Sequence, residues 1–403
     1  MNASTTRLLI VSSRAPFGNA EPYLRTELDE LSRHFKCIAL VCARTPRGPE
    51  QSLPANVRVL RWPLLSFEIL RRSLLVLVSR PAARRTAIAT LFSKERGRLK
   101  NLAILLKALA LGQWAIENRI THVHAYWLSV PATVAMLAAE SAGIPWSATA
   151  HRWDIYERNA LDAKSRSVAF VRAISKRGAE TLREAMPGAR QRIVHLPLGA
   201  VIPALLDAPS APQGRFSILC PAALVQVKGH SDLFAAVGIL VERGIPVHCR
   251  IAGEGPLRAA LADFVTRMQL QAHIEFCGFV PQHQLHEWYR SGAVDAVVLA
   301  SRHEADGLME GVPSALMEAM ARGVPVVATD SGSVGELVDP KCGSLVAPGD
   351  SRALADALEN VYRDRAGARE RALNAYRRVA RLHDVRRQMA SLATLVVTQR
   401  ALA

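Results

Sequence analysis

The chain is short of cysteine, aromatic residues, acids and long apolar runs, and each shortage excludes something. Its six cysteines (Cys37, Cys42, Cys220, Cys249, Cys277 and Cys342) are scattered through 403 residues. With no Cys-x-x-Cys or mixed His/Cys spacing, they give neither a disulfide framework nor a zinc site, and they read as reduced core residues. Aromatics make up 5% of the chain, with no RNP-like signature or zinc finger, so nucleic acid is not an expected partner. Nowhere do 18 apolar residues run uninterrupted. Residues 101–116 come nearest, and Lys107 and Gln113 break them. The opening MNASTTRLLIVSS lacks the apolar length of a signal peptide, so the expected location is cytoplasmic, either free or peripheral on the inner face of the membrane. No Asp-x-Asp pair and no complete P-loop occur, so neither a metal nor ATP hydrolysis is expected. Acids number 35 against 51 Lys and Arg, giving a net charge of +16. Such a charge attracts acidic partners, whether a membrane surface, a polynucleotide or an anionic substrate.

What is present is an α/β pattern long enough for two domains. Apolar runs at Arg7–Ser12, Cys37–Cys42, Val57–Leu60, 121–125, Trp146–Ala150, 170–175 and 192–196 read as strands. Helical stretches at 21–34 and Val130–Ala142 lie between them. Residues 197–212 carry Pro197, Pro203, Pro209 and Pro212, the character of an interdomain linker. Alternation restarts with strands at 216–220, Val247–Ala252, Ile274–Gly278 and 296–300. Domains are expected at 1–205 and 206–384, with 385–403 as a helix returning to the first.

Residues 61–107 interrupt the alternation. They carry Arg61, Arg71, Arg72, Arg80, Arg84, Arg85, Lys94, Arg96, Arg98, Lys100 and Lys107 against Glu68 and Glu95, interleaved with Leu, Val and Phe. This pattern suits either an anionic membrane surface or a helical layer with a solvated basic face.

The densest stretch is 301–337, with Glu310 and Glu318 eight positions apart around the turn Gly311-Val312-Pro313. Pro313 suits a helix's first turn and Ser314 is the expected cap. Leu316, Met317, Ala319 and Met320 supply an apolar face, Gly323 follows the end, and residues 324–329 read as a buried strand. Both carboxylates are thereby expected to face one volume beyond the helix N-terminus, where free N–H groups favour an anion.

This segment, with Ala305-Asp306-Gly307 before it and Ser331-Gly332-Ser333-Val334-Gly335-Glu336 after it, resembles the signature of glycosyltransferase family 4, most of all its bacterial exopolysaccharide and capsule members. The resemblance implies the GT-B architecture, two Rossmann-like domains facing an interdomain cleft, with the acceptor on the first and the nucleotide sugar on the second. It implies retaining transfer of a sugar from a nucleoside diphosphate sugar to a saccharide acceptor, lipid-linked or free, without a metal cofactor. Glu310 would hold donor-sugar hydroxyls and Glu318 the ribose, with Gly311, Val312, Pro313 and Ser314 around the phosphates. Lys228, in Val227-Lys228-Gly229, matches a lysine that neutralises the diphosphate, while Ala223 stands where the family has an arginine. Gly253 and Glu254 match a turn beside the nucleotide. His151, just past a strand in Thr149-Ala150-His151, matches a histidine near the transferred sugar. His124, Lys176 and Arg177 are further strand-end candidates. Gly18 matches the family's first glycine-containing loop, although the usual double glycine is incomplete. Two rival readings remain, a soluble-acceptor enzyme such as a disaccharide or glycogen-type synthase, and a non-catalytic nucleotide-sugar-binding scaffold.

Overall fold

A computed structural model describes residues 6–18, 21–92, 97–204, 206, 214–304, 307 and 309–399. Lys94, Glu95, Arg96, Ala305 and Asp306 lie outside the described residues, as do 207–213 of the linker and 400–403 of the final helix. The chain divides into two compact units. One comprises the residues up to Gly199 together with those from Val385 onward, and the other is Ala200–Asp384.

The first unit holds seven strands: β1 (Arg7–Ser12), β2 (Cys37–Cys42), β3 (Val57–Leu60), β4 (His122–Tyr126), β5 (Trp146–Ala150), β6 (Phe170–Ala173) and β7 (Ile193–His195). All pair in parallel, in the order β3-β2-β1-β4-β5-β6-β7. Parallel strands covered by helices on both faces read as continuous apolar runs, and Leu8, Leu9, Ile10 and Val11 of β1 are all fully buried. Its helices are α1 (Pro22–Leu31), α2 (Phe67–Ser79), α3 (Pro81–Phe92), α4 (Arg98–Glu117), α5 (Val130–Ala142), α6 (Arg152–Glu157), α7 (Leu161–Ser167) and α8 (Lys176–Ala185). The helix expected over 21–34 ends at Leu31 and tightens into a 3₁₀ turn over Ser32–His34.

The second unit repeats the plan with β8 (Phe216–Pro221), β9 (Val247–Ala252), β10 (Ile274–Gly278), β11 (Ala296–Leu299), β12 (Val326–Thr329) and β13 (Ser344–Val346). These are again parallel, in the order β10-β9-β8-β11-β12-β13. Its helices are α9 (His230–Glu242), α10 (Arg258–Arg267), α11 (Gln282–Arg290), α12 (Ser314–Met320), α13 (Val334–Leu337), α14 (Ser351–Arg363) and α15 (Arg365–Leu382). Two Rossmann-like halves are therefore present. The last helix, α16 (Val385–Gln399), belongs to the first unit. Its Val385, Met389, Leu392, Ala393 and Val396 share one core cluster with Leu24, Leu28 and Leu31 of α1 and Leu8 and Ile10 of β1.

The basic stretch resolves into two populations. Lys107 points inward: its side chain is fully buried and Nζ donates to the carbonyls of Cys42 and Trp62, both at 2.8 Å. Burial lowers its pKa to about 8. It ties α4 to the ends of β2 and β3 and takes no part in a basic surface, contrary to the sequence expectation. Arg72 is also drawn in, paired with Glu68 and Glu117. Although α4 is long and apolar enough to cross a membrane, most of it is buried in the core of the first unit.

Each sheet has one topological switch point, between β1 and β4 in the first unit and between β8 and β11 in the second. In open parallel sheets, ligands bind outside the carboxyl ends of the strands at such a point. The loops that follow these four strands therefore set where to look.

Candidate functional site

In the second unit the switch-point loops bring Lys228 and Glu310 together. Lys228 follows β8, Glu310 follows β11, and their Nζ and Oε2 lie 2.6 Å apart. Ser301 Oγ donates to the same Oε2 at 2.8 Å, and the Gly311 amide donates to Oε1 at 3.1 Å. Glu310 is 7% exposed, whereas the Lys228 side chain keeps 20% of its surface. A near-buried carboxylate needs this partnership, because an unpaired buried charge is costly.

Backbone packing fixes the loops. Gly332 has φ +63°, and a Cβ there would lie 1.9 Å from the Glu310 carbonyl oxygen. Gly229 has φ +60°, and its Cβ would lie 1.9 Å from the Ala300 carbonyl. Only glycine fits at either place, so the loops carrying Glu310 and Lys228 sit directly on neighbouring backbone. Gly253 lies against Ala222 and Ala223. The Leu224 amide donates to the Glu254 carbonyl at 2.9 Å, which docks the Glu254 turn on the loop that leads to Lys228. Glu254 and Ala223 are both exposed there.

Glu318 has its own partners. It is the fifth residue of α12, where Gln282 Nε2 donates to Oε1 at 2.9 Å and His286 Nε2 lies 3.4 Å from Oε2. The two carboxylates thus engage different groups, Glu310 the β8 loop and Glu318 helix α11. Two local expectations need correction. Ser314 is not a cap, because Pro313 occupies the N-cap position without a side-chain bond and Ser314 is the first helical residue. The following strand starts at Val326 instead of 324, since Gly323 with φ +68° is still completing the turn. With only seven residues in α12, the field at its N-terminus is small, and Lys228 is the dominant positive group.

In the first unit the switch point is built around Glu21, which the sequence did not single out. Its buried carboxylate accepts from the amides of Arg14 and Ala15, each at 2.7 Å, and from Trp127 Nε1. Glu21 therefore clamps the β1–α1 loop to the residue after β4. Trp127 has φ +104°, unusual for a bulky residue, and its ring lies 4.6 Å from that of His151. Tyr23 lies 4.9 Å from His151 on another side.

His151 caps α6 reciprocally. Its side chain accepts from the Asp154 amide, and Asp154 accepts from the His151 amide at 2.7 Å. Nε2 has no partner, so Nδ1 is the accepting nitrogen and the ring proton sits on Nε2. Burial, with Arg172 adding to it, lowers the His151 pKa to about 3. The neutral ring thus holds one uncommitted N–H donor, and the Tyr23 hydroxyl nearby is likewise buried without a partner. Asp154 is pushed up to about 7 by burial, against the pull of the Leu128 and His151 amides.

The remaining candidates divide. His124 lies within β4, fully buried, with its ring nitrogens on Ser147 Oγ and Thr149 Oγ1 at 2.7 and 2.9 Å, so its place is structural. Lys176 and Arg177 open α8 on an exposed face. Gly18 turns against residues 48–51, its amide donating to the Pro49 carbonyl at 2.9 Å.

Residues 203–379 match the family of glycosyl transferases group 1, a span that nearly coincides with the second unit. The second unit is a group 1 glycosyl transferase domain. Among curated relatives, the colanic acid biosynthesis glycosyltransferase WcaL of Escherichia coli strain K12 is 40% identical over 149 residues, 37% of this chain and 36% of WcaL. The amylovoran biosynthesis glycosyltransferase AmsK of Erwinia amylovora is 37% identical over 142 residues, 35% of this chain and 34% of AmsK. The chain thus spans about a third of the length of these relatives. A crystal structure of Anabaena HepE in complex with UDP and glucose superposes with a TM-score of 0.73 at 18% identity, covering 98% of this chain and 100% of HepE. Sucrose-phosphate synthase of Thermosynechococcus elongatus gives a TM-score of 0.76 at 19% identity, covering 99% and 100%. Both likenesses establish the GT-B fold for the whole chain. In the group 1 domain, the Lys228–Glu310 pair sits where such a sheet presents its ligands. Among the described residues, no group of three or more His, Cys, Asp or Glu could hold a metal ion.

Proposed function

We propose that the protein is a retaining hexosyltransferase that moves a sugar from a nucleoside diphosphate sugar to a saccharide acceptor in exopolysaccharide synthesis. The observation that carries this reading is the Lys228–Glu310 pair at the β8/β11 switch point of the group 1 domain. The names of WcaL and AmsK support the polysaccharide context, and the HepE complex makes UDP the first nucleotide to test. The donor belongs to the second unit and the acceptor to the first. A lipid-linked acceptor would place the enzyme peripherally on the cytoplasmic face of the membrane.

Breaking the anomeric bond leaves positive charge on the sugar and negative charge on the departing diphosphate. Lys228 supplies the fixed positive group: its ammonium uses one N–H on Glu310 and keeps others for phosphate oxygens. That partnership also orients Glu310 to accept hydroxyls of the donor sugar. Glu318 accepts the ribose hydroxyls, with Gln282 and His286 holding its carboxylate until they arrive. Backbone at Gly311, Val312, Pro313 and Ser314 lines the phosphates, and Gly253 and Glu254 flank the nucleotide. His151 donates through Nε2–H to the transferred sugar or the acceptor, with Trp127 and Tyr23 as its walls. Gly18 shapes the loop above them. The charge of the leaving group is met by Lys228 without a metal cofactor.

The test is thermal melting against UDP-, GDP- and ADP-sugars in the presence of chelator, followed by donor turnover. A donor at about a hundred times its dissociation constant adds about 2.7 kcal/mol of stability. One nucleotide class should stabilise the protein, and Glu318→Ala should abolish that shift. Stabilisation by none of them would overturn the reading. Binding without transfer or hydrolysis would replace it with a nucleotide-sugar scaffold, a reading that the alanine at position 223 favours.

A further inference from the structure

Helix α2 carries two apolar stripes where a globular helix needs one. Ile69, Ser73 and Val76 are buried, and α2 packs on α4 through that side. The second stripe runs along the outside: Phe67 is 82% exposed, Leu70 51%, Leu74 60% and Val78 72%. Their spacing of three and four residues puts them on one helical face, and Leu75 lies beside it, also exposed. Single exposed apolar residues mean little, but a contiguous stripe of large ones marks an interaction surface.

The charges next to this stripe define its partner. Arg71 stands within it, bonded to Glu68. Arg80 follows the C-terminus of α2, and the outward side of α3 carries Arg84, Arg85 and Ile88. Among the described residues, Arg80, Arg84, Arg85 and Arg98 make no ion pair. We propose that this α2–α3 face docks the protein on an anionic lipid bilayer, with Phe67, Leu70, Leu74 and Val78 entering the headgroup–acyl boundary and Arg80, Arg84 and Arg85 on lipid phosphates. An apolar stripe flanked by arginines is the pattern of a helix that lies in a membrane interface. A second copy of the chain is the wrong partner, because it would bring like-charged arginine clusters together. Nucleic acid would satisfy the arginines and leave four large apolar side chains in water. Core helix α4, with its buried Lys107, is not the membrane-seeking element.

The inference shares with the proposed function only the idea of a lipid-linked acceptor, and its test needs no donor. The full chain is co-sedimented with vesicles of phosphatidylcholine alone and with vesicles in which part is replaced by phosphatidylglycerol. Binding is expected only to the anionic vesicles and should weaken as salt rises. At about 1 kcal/mol per basic residue, Arg84→Gln/Arg85→Gln should lower partitioning about 30-fold. Leu74→Ser/Val78→Ser should lower it about tenfold or more, while the exposed pair Arg352→Gln/Arg369→Gln on the second unit leaves it unchanged. Melting temperatures and donor-induced stabilisation should stay at the wild-type value in all three, which separates a failed docking face from a failed donor site. Equal binding to uncharged vesicles, or wild-type partitioning of both α2–α3 variants, overturns the proposal. So does a dimer in sedimentation velocity that Leu74→Ser/Val78→Ser dissociates while vesicles go unbound.

Discussion

Removing the ammonium of Lys228 while keeping its stem, as in Lys228→Met, strands the Glu310 carboxylate. That carboxylate is 7% exposed and would keep its bonds from Ser301 and Gly311 but lose its counter-charge at 2.6 Å. Breaking a buried pair from one side costs about 3–5 kcal/mol. The 20% exposure of the Lys228 side chain admits solvent, so the lower end, about 3 kcal/mol, applies. Glu310→Gln should cost less, about 1 kcal/mol, because the lysine left behind can turn to water. With both changes together no charge is stranded, and the double variant should lie about 2 kcal/mol above the sum of the singles. Trp288 is the only tryptophan in the second unit, so urea titrations read through a fluorotryptophan signal there isolate the relevant transition. Additive single effects, or a Lys228→Met cost below about 1 kcal/mol, would refute the idea that Lys228 and Glu310 are a coupled buried pair.

Three further outcomes are expected. Gly332→Ala forces a Cβ onto the Glu310 carbonyl and should cost more than about 2 kcal/mol together with donor turnover, whereas Gly244→Ala, also left-handed but in open space, should cost about 1 kcal/mol in melting experiments. Acid should destabilise the first unit: burial holds His122 and His151 at a pKa of about 3 and His124 well below its ordinary value, so between pH 6 and about 4 the unfolded chain takes up three protons that the fold refuses. Asp154, held near 7, runs the other way in that window, since the fold keeps a proton the unfolded chain releases; the net of two protons gives about 3 kcal/mol lost per pH unit, and flat urea midpoints from pH 6 to pH 5 would contradict this. His151→Phe keeps a ring against Trp127 and Tyr23 but removes Nε2–H and the helix cap; about 1 kcal/mol of stability and most of the turnover should go, and wild-type turnover would end the positioning role.

What could be read from the sequence follows from where the information sits. Buried parallel strands are local apolar runs, so Val57–Leu60, Trp146–Ala150 and Val247–Ala252 could be placed to the residue. Three-residue β13 and six-residue α6 are too short to leave a period. Lys228 and Glu310 were legible because family motifs name them, although the bond between them spans 82 positions. No motif names Glu21, and its role depends on Trp127, 106 positions away. The same holds for Arg172, a fully buried arginine in β6 whose guanidinium meets Glu27 of α1 at 2.7 and 2.8 Å. A charge inside a strand pattern reads as an outward face until the long-range partner is known. The 61–107 stretch failed differently. Its composition is uniformly basic, and only tertiary packing shows that Lys107 serves the core while Arg84 and Arg85 serve the surface.

The return of α16 to the first unit has a consequence for how the protein is made. The chain leaves that unit at Gly199 and re-enters it at Val385, and these two residues pack against each other so closely that a Cβ on Gly199 would overlap Val385. During synthesis the seven-stranded sheet emerges first, yet the helix that closes one face of its core is made only after the entire second unit. Until then Leu24, Leu28 and Leu31 lack their contacts with Val385, Met389, Leu392, Ala393 and Val396, and the whole group 1 domain can fold in the interval. The earlier-made half is therefore the later-finished one. A nascent chain that has released the second unit but not yet α16 would carry a complete group 1 domain and a first unit with an open seam, a natural target for chaperones.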